Sequence, residues 1–284
     1  MKEVKVAVIG SGTMGKGIVQ VLAQTDATAS IVWIGRSQAG SEEAFKSLNA
    51  LWERMVNKKR LATEDVLKFS QKIRTAHHYE ALKNCDLIIE AVSEDMSVKH
   101  GIFRNIALYA DTTSLIASNT SSLSITELAS LTKNPENVMG LHFFNPAPVM
   151  KLVEVIVGLS TSKETETWAF NFAKSLGKEP VLVNEAPGFI VNRMLIPMIN
   201  EAIGILAEGV ASAEEIDKAM KLGANHPIGP LALADLIGND VNLSIMETLH
   251  NETGDPKYRA HPLLRKMVRA NKLGRKTHSG FYEY

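Results

Sequence analysis

The segment GSGTMG at residues 10–15 places the strongest constraint on how this chain can fold. It follows a β-rich run at residues 4–9 and opens a helical pattern. Gly10 permits a tight turn, Gly12 removes a side chain where a ligand approaches, and Gly15 allows close packing of helix on strand. Backbone amides at the start of such a helix bind phosphate groups. We interpret the loop as a dinucleotide pyrophosphate site; the alternative is a tight strand-to-helix turn without a ligand.

Short β-rich runs alternate with helical patterns through the first two thirds of the chain. The predicted strands cover residues 4–9, 30–34, 87–90, 115–118, 138–142, 153–157 and 181–183. The predicted helices between several of them cover residues 14–24, 41–57, 96–109 and 163–176. This alternation predicts an α/β fold, a Rossmann-type doubly wound domain with a mainly parallel sheet.

The strand signal stops near Pro187, and helical patterns continue from there. They cover residues 189–208, 212–222, 231–236, 239–251 and 262–270. Pro197 lies inside the first of these helices and should kink it. We therefore predict a dinucleotide-binding domain at residues 1–184, followed by a smaller all-α domain at residues 185–284.

The charge balance gives no sign of a broad interaction surface. The 284 residues include 31 basic and 31 acidic side chains with no long run of either sign, which argues against nucleic-acid and membrane partners. A single cysteine, Cys85, excludes an internal disulfide, and its apolar neighbours favour a buried inert thiol over a nucleophile. We expect no signal or transit peptide, because a predicted strand begins almost immediately after residues 1–3. No apolar run approaches membrane-spanning length. We expect a soluble, cytoplasmic protein.

His142 and Glu154 lie on either side of a turn that contains Pro146 and Pro148. A neutral imidazole can take and return a proton near physiological pH, and a carboxylate on its other ring nitrogen fixes the tautomer and stabilises the imidazolium. Such a pair suits reversible proton transfer at a hydroxyl or a carbonyl group. The alternative is a satisfied core histidine and an edge-strand glutamate that do not touch.

The end of the second predicted strand bears on the choice of cofactor. NAD enzymes usually place Asp or Glu there to bind the ribose hydroxyls, whereas this chain has Gly35, Arg36 and Ser37. Gly35 leaves room, Arg36 can hold a 2′-phosphate through two charge-assisted hydrogen bonds, and Ser37 can donate another. We favour NADP over NAD. In the alternatives, Arg36 stacks on the adenine of NAD or is a solvated surface charge.

Several long phrases carry a resemblance to a known family. Besides the glycine loop they are ASNTSSLSI at 117–125, GLHFFNPAPVMKLVEV at 140–155, EAPGFIVNR at 185–193, and GRK at 274–276 with GFY at 280–282. The chain resembles the L-3-hydroxyacyl-CoA dehydrogenases over its whole length, and most closely the short bacterial 3-hydroxybutyryl-CoA dehydrogenases. The resemblance implies hydride exchange between a nicotinamide cofactor and C3 of a short 3-hydroxyacyl-CoA, in short-chain fatty acid or butanoate metabolism. It also implies a helical domain that takes part in substrate binding and forms a homodimer.

The resemblance further implies roles for individual residues. His142 is the catalytic acid or base, Glu154 is its partner, and both Ser121 and Asn192 contact the substrate oxygen. With the glycine loop and the ribose end included, the expected cofactor contacts are Gly10, Gly12, Thr13, Met14, Gly15, Gly35, Arg36, Ser37, Glu94, Lys99, Asn119, Ser121, Asn145 and Lys276. From the residues alone, a solvated surface charge is the simpler interpretation of Lys99 and Lys276.

The densest basic patch is RMVNKKR at residues 54–60. A solvated helix end explains it simply, because cations are favourable at a helix C-terminus. In the family that the chain resembles, this region lies over the adenine-phosphate end of coenzyme A. The resemblance therefore implies that Arg54 and Lys58 bind phosphate groups of the substrate.

Two other functions fit part of the sequence. One is a dehydrogenase of a free hydroxy acid or sugar acid, with the same fold and the same pair of residues. The other is a non-catalytic, dinucleotide-binding structural protein. The basic patch and the phrase around Asn192 argue against the first, and the intact set of His142, Glu154, Ser121 and Asn192 argues against the second.

Overall fold

Two compact units make up the chain, one up to Glu185 and one from Ala186 to Tyr284. The computed structural model describes residues 3–284; Met1 and Lys2, with which the first predicted domain begins, lie outside the described residues. Each unit buries a hydrophobic cluster of its own. Separate cores of this kind are what distinguish two domains from one.

The first unit is built on one mainly parallel sheet. Its strands within the described residues are β1 Val4–Ile9, β2 Thr28–Ile34, β3 Ile73–Ala76, β4 Leu87–Glu90, β5 Leu115–Ser118, β6 Val138–Phe143, β7 Leu152–Val157 and β8 Glu179–Asn184. Their order is β3-β2-β1-β4-β5-β6-β7-β8, and of the neighbouring pairs only β6 and β7 are antiparallel. The order changes direction between β1 and β4, the kind of switch point at which such sheets bind ligands. The predicted doubly wound fold class is confirmed.

Helices connect these strands, and the four that the sequence predicts follow their predicted positions closely. They are α1 Thr13–Ala23, α2 Gln38–Asn57, α3 Thr63–Gln71, α4 Met96–Tyr109, α5 Ile125–Ala129 and α6 Lys163–Ser175. Side chains that accept a hydrogen bond from a backbone N–H begin four of them, at Ser37, Asp95, Ser124 and Ser162. The start of α1 has no such side chain, since its N-cap is Gly12. The first amides of α1 are therefore available to an anion.

The sheet core explains why most strands were predictable from sequence. The four residues of β4 are all buried, and Val6 and Val8 of β1 have no exposed surface. Parallel strands covered on both faces carry such continuous apolar runs. No sequence pattern predicted β3, α3 or α5. Strand β3 has four residues, of which Arg74 is exposed, and Phe69 is the one buried residue of α3.

The second unit is helical in its described secondary structure apart from short turns and bridges. Its helices are α7 Val191–Ala207, α8 Ala213–Gly223, α9 Pro230–Ile237, α10 Asn239–Thr253 and α11 Pro262–Arg269. Pro197 lies inside α7, which continues to Ala207 as one element. The buried carboxylate of Asp235 anchors the C-terminal tail, because it accepts hydrogen bonds from the N–H groups of Phe281 and Tyr282. Within residues 3–284, no helix is both long and apolar enough to cross a bilayer.

Candidate active site

Strand register brings His142 and Glu154 together. In the antiparallel pair of β6 and β7, His142 lies directly opposite Glu154, and the side chains of such a cross-strand pair point to the same face. The Nδ1 atom of His142 is 2.7 Å from Oε2 of Glu154. Only 5% of His142 and 1% of Glu154 is exposed. The alternative in which the two side chains do not touch is therefore excluded.

The buried carboxylate decides what the imidazole can do. Because Nδ1 of His142 bonds to Glu154, Nε2 is the ring nitrogen suited to exchange a proton with a substrate. The ring of Phe144 packs against the imidazole at a centroid distance of 4.3 Å and limits its rotation. A negative charge held against Nδ1 stabilises the protonated ring. This arrangement suits reversible acid–base chemistry.

The glycine loop after β1 has the shape that a dinucleotide needs. A Cβ atom on Gly10 would lie 2.3 Å from the carbonyl oxygen of Ala91, and one on Gly15 would lie 2.0 Å from the carbonyl oxygen of Gly10. The Trp33 indole N–H donates to that same Gly10 oxygen at 2.8 Å. A Cβ on Gly12, by contrast, would have no atom within 4 Å. The backbone at Gly12 is therefore open to close approach, and the loop fits a pyrophosphate.

Two further residues of this loop have different environments. Thr13, the first residue of α1, is exposed beside the open helix N-terminus. Met14 is partly buried and packs against the core of the first unit. Core packing accounts for the methionine, whereas Thr13 has the exposure that a phosphate contact requires. Both contacts with a cofactor stay predictions.

The loop after β2, which is predicted to contact the adenosine ribose of the cofactor, holds its three residues in different ways. A Cβ on Gly35 would lie 2.5 Å from Oγ of Ser41, so glycine is needed here for packing against Ser41 as well as for any room that it leaves a ligand. The Ser37 hydroxyl accepts from the N–H of Gly40 at 3.1 Å and begins α2. Arg36 is exposed. Of these residues, Arg36 therefore has the charge and the exposure to distinguish one ribose from another.

Glu94 organises the loop that carries Ser121. Its Oε1 accepts from the Thr120 hydroxyl at 2.7 Å, from the Ser121 N–H at 2.7 Å and from the Ser121 hydroxyl at 3.0 Å. Burial alone would raise the pKa of Glu94. The Lys99 charge and these hydrogen bonds outweigh burial and hold the pKa below its usual range. Glu94, which follows β4, is thus a fixed anion against the loop that follows β5.

Lys99 is not a solvated charge, and that interpretation of the sequence is wrong. The residue is 1% exposed, and its Nζ donates to both carboxylate oxygens of Glu90, at 2.7 and 2.9 Å. The Ser118 hydroxyl also donates to Glu90, at 2.6 Å. Neither Glu90 nor Ser118 was among the predicted site residues. The available signal was a glutamate that ends the buried run LIIE of β4.

A second buried lysine supports the turn between His142 and Glu154. Nζ of Lys178 donates to the carbonyl oxygens of Ala147 and Met150, at 2.6 and 2.8 Å. Burial lowers the pKa of Lys178. Both acceptors lie in the loop that joins β6 to β7. This contact was not predicted, because no local sequence pattern around Lys178 indicates it.

The two asparagines of the predicted cofactor set differ in their surroundings. Asn119 follows β5, and its side-chain oxygen accepts from the N–H of Phe143 at 2.9 Å, which ties the ends of β5 and β6 together. Asn145 is exposed in the loop after β6. A cofactor contact of either residue stays a prediction.

Two of the predicted residues belong to the second unit. Asn192 lies in the first turn of α7 and is 9% exposed. Lys276 is partly exposed, and its Nζ donates to Oδ2 of Asp240 at 2.6 Å. Its charge therefore belongs to an exposed ion pair. The proposed contacts of Asn192 and Lys276 with ligands stay predictions.

The basic patch lies at the end of α2. Arg54 is in the last turn of that helix, Lys58 is its C-cap, and both are exposed. Residues four apart lie on the same side of a helix. The pair can therefore bind a phosphate group or simply complement the helix dipole, and the geometry is compatible with both interpretations.

Comparison with known proteins identifies the family. Residues 5–186 match the 3-hydroxyacyl-CoA dehydrogenase NAD-binding domain, and residues 188–284 match the C-terminal domain of the same family. The chain is 54% identical over 280 residues to a 3-hydroxybutyryl-CoA dehydrogenase of Clostridioides difficile, covering 99% of both chains. It is 46% identical over 280 residues to a probable 3-hydroxybutyryl-CoA dehydrogenase of Bacillus subtilis, covering 99% of this chain and 97% of the relative. The crystal structure of an (S)-3-hydroxybutyryl-CoA dehydrogenase from Ralstonia eutropha superposes with a TM-score of 0.95 at 46% identity, covering 100% and 99% of the two chains. The chain belongs to the 3-hydroxyacyl-CoA dehydrogenase family of oxidoreductases.

Proposed function

We propose that this protein is an (S)-3-hydroxybutyryl-CoA dehydrogenase that interconverts acetoacetyl-CoA and 3-hydroxybutyryl-CoA. The observation that carries the proposal is the buried contact of 2.7 Å between His142 and Glu154, at the edge of the sheet where β1, β4, β5 and β6 end. The activity in the names of full-length relatives supports the same substrate. Fatty acid metabolism is the matching biological role.

His142 and Glu154 carry the proton in this proposal. A nicotinamide cofactor, when bound, would donate or accept the hydride. During oxidation, Nε2 of His142 removes the proton from the hydroxyl on C3 of the substrate. During reduction, the imidazolium returns a proton to the oxygen that forms there, while Glu154 balances its charge. A positioned acid–base group of this kind contributes about 10² to 10⁴ in rate.

Ser121 and Asn192 are proposed as contacts with the reacting oxygen. The backbone N–H of Ser121 already bonds to Glu94, so the loop is held without help from the hydroxyl. The hydroxyl is then able to turn toward a substrate oxygen and donate to it. For Asn192, the support is the family resemblance and its amide group.

The CoA part of the substrate supplies binding energy away from the reacting atoms. Arg54 and Lys58 are proposed to bind its phosphate groups, because both cations are exposed and lie one helical turn apart. Binding energy from such a remote handle can be used to align C3 with the catalytic groups. A free hydroxy acid has no CoA group and could not make these phosphate contacts.

The proposed cofactor is NADP(H) in preference to NAD(H). The family's domain is of the NAD-binding type, and the finer preference rests on Arg36 and Ser37. Arg36 offers a fixed positive charge, and the hydroxyl of Ser37 keeps a hydrogen to donate while it accepts from Gly40. The first turn of α2 contains no acidic residue that would repel a phosphate. Adenine stacking by Arg36 in an NAD enzyme is the alternative.

The second unit is proposed to mediate a homodimer. Its large exposed apolar residues include Met194, Val210 and Leu222, which are 72%, 69% and 78% exposed. Only a contiguous apolar patch would indicate a contact site, so the support for the dimer is the resemblance of residues 188–284 to the C-terminal domain of the family. Sedimentation equilibrium should give about twice the mass of one chain, and a single-chain mass would contradict this proposal.

One assay separates the proposed activity from its rivals. Oxidation of NADPH and NADH is followed with acetoacetyl-CoA, with free acetoacetate and without substrate. We expect turnover that depends on acetoacetyl-CoA. Comparable efficiency with free acetoacetate would support the free-acid dehydrogenase, and dinucleotide binding without turnover of either compound would support the structural protein.

A further inference from the structure

A buried ion pair lies behind the loop that carries Ser121. Glu90 ends β4 with no exposed side-chain surface, and the Lys99 side chain from α4 is 1% exposed. Four hydrogen bonds converge on the Glu90 carboxylate, two from Nζ of Lys99, one from the Ser118 hydroxyl at 2.6 Å and one from the Val92 N–H at 2.7 Å. The carboxylate and its lysine are therefore held in one arrangement.

The pair is connected to Ser121 through Glu94. Nζ of Lys99 is 3.5 Å from Oε2 of Glu94. The other oxygen of Glu94 accepts from the N–H groups of Ser121 and Ser122, at 2.7 and 3.1 Å. A chain of charge contacts and hydrogen bonds thus leads from Glu90 to the Ser121 backbone.

Stability alone is a weak reason for this pair. Removing two charges from water is costly, and apolar side chains of similar size often stabilise a core as well or better. The three residues of β4 before Glu90 are apolar and buried, so an apolar residue would suit the end of the strand. What an apolar pair cannot do is present a fixed ammonium group to Glu94.

We propose that Glu90 is a positioning residue, whose buried carboxylate fixes Lys99 so that Lys99 orients Glu94 and Glu94 holds the Ser121 loop. Glu90 touches neither substrate nor cofactor in this account. The catalytic consequence rests on the proposed function, in which Ser121 contacts the substrate oxygen. The structural consequence, an ordered loop, does not depend on it.

A double variant separates positioning from stability. Glu90→Gln or Lys99→Met alone leaves an unpaired buried group and should lower the melting temperature by about 10 °C. The combined variant removes both charges and should recover most of that loss. We expect its kcat with acetoacetyl-CoA to remain at least about tenfold below wild type at saturating cofactor, because a small misplacement of an aligning group is costly. The exposed pair of Asp26 and Lys68 is the matched control; Asp26→Asn with Lys68→Met should change neither quantity.

The order of the loop that carries Ser121 can be measured in the same variants without any substrate. Hydrogen exchange of the Ser121 and Ser122 amides should be at least about tenfold faster in the double variant than in wild type. Unchanged exchange in a folded double variant would overturn the inference. So would a wild-type kcat, or a defect confined to the KM of the cofactor, which would mean that Lys99 acts by direct contact.

A milder variant tests the same inference if the double variant does not fold. Glu90→Asp keeps the charge pair but shortens the anchor by one methylene, and we expect faster exchange of the same two amides with a reduced kcat. Exchange and kcat both at wild-type values would overturn the inference. If the wild-type protein does not turn over acetoacetyl-CoA, the proposed function is contradicted and the inference about Glu90 is not. The hydrogen-exchange measurement then still tests the role of Glu90.

Discussion

The proposed catalytic pair and the predicted ribose end of the cofactor site lie on the same sheet but are held in different ways. His142 and Glu154 are buried and face each other through strand register, whereas Arg36 is exposed in a loop after β2. Moving the first pair requires moving two strands, but changing Arg36 leaves the sheet intact. In the proposed function, the chemistry therefore depends on backbone architecture, and the preference between NADP and NAD depends on one exposed side chain.

After the histidine itself, the largest effect is expected from the carboxylate of the buried pair. Glu154→Gln keeps the size of the side chain but removes the charge that stabilises the imidazolium, so kcat should fall by about a hundredfold or more. Cofactor binding should change little. Steady-state kinetics with acetoacetyl-CoA give kcat, and fluorescence titration gives the cofactor Kd. A kcat within about twofold of wild type would show that the contact at 2.7 Å is structural only.

A smaller effect is expected at the ribose end. Charge-assisted hydrogen bonds contribute roughly 1.5 to 3 kcal/mol each, enough for about tenfold to hundredfold discrimination. We expect a higher kcat/KM with NADPH than with NADH, and a reversal or collapse of that preference in Arg36→Asp. Arg104→Asp makes the same charge change at an exposed site on α4 and should keep the preference. A tenfold wild-type preference for NADH would refute the NADP assignment and leave the proposed substrate unaffected.

The smallest effect is expected at the exposed end of α2. Replacing Arg54 and Lys58 by Ala should raise the KM for acetoacetyl-CoA several-fold, more steeply at low salt because screening is weaker there. The cofactor Kd should stay near its wild-type value. The double replacement of Lys266 and Arg269 by Ala removes the same charge from the end of α11 and is the control. An unchanged KM at low ionic strength would show that the patch is a solvated helix end and does not bind CoA phosphates.

The fold was largely predictable because its central strands are buried on both faces. The bounds predicted for β1, β4 and β5 are those observed, since short runs rich in Val and Ile that end at turn signals are typical of strands. In contrast, β3 has four residues and an exposed Arg74, so its pattern carries little information. The fold class was predicted from the alternation of strands and helices. That prediction remains correct even when a few short elements are not recognised.

The candidate site was predictable where neighbouring strands bring residues together. The turn with its two prolines indicated that His142 and Glu154 come from adjacent strands, and the contact is present. The burial of Lys99 was not predictable, because it depends on how α4 packs over the end of β4 and because lysine is usually solvated. Tertiary packing decides the environment of such a residue, and no local pattern reports it.

The most direct test of this account is the rate of hydride transfer in His142→Gln. A single-turnover experiment with saturating reduced cofactor and acetoacetyl-CoA measures that rate apart from product release. We predict a fall of about 10² to 10⁴ relative to wild type, with the cofactor Kd and the melting temperature nearly unchanged, because the variant lacks only the proton carrier. Hydride transfer in His142→Gln at a rate near that of wild type would contradict the claim that the buried pair carries the proton.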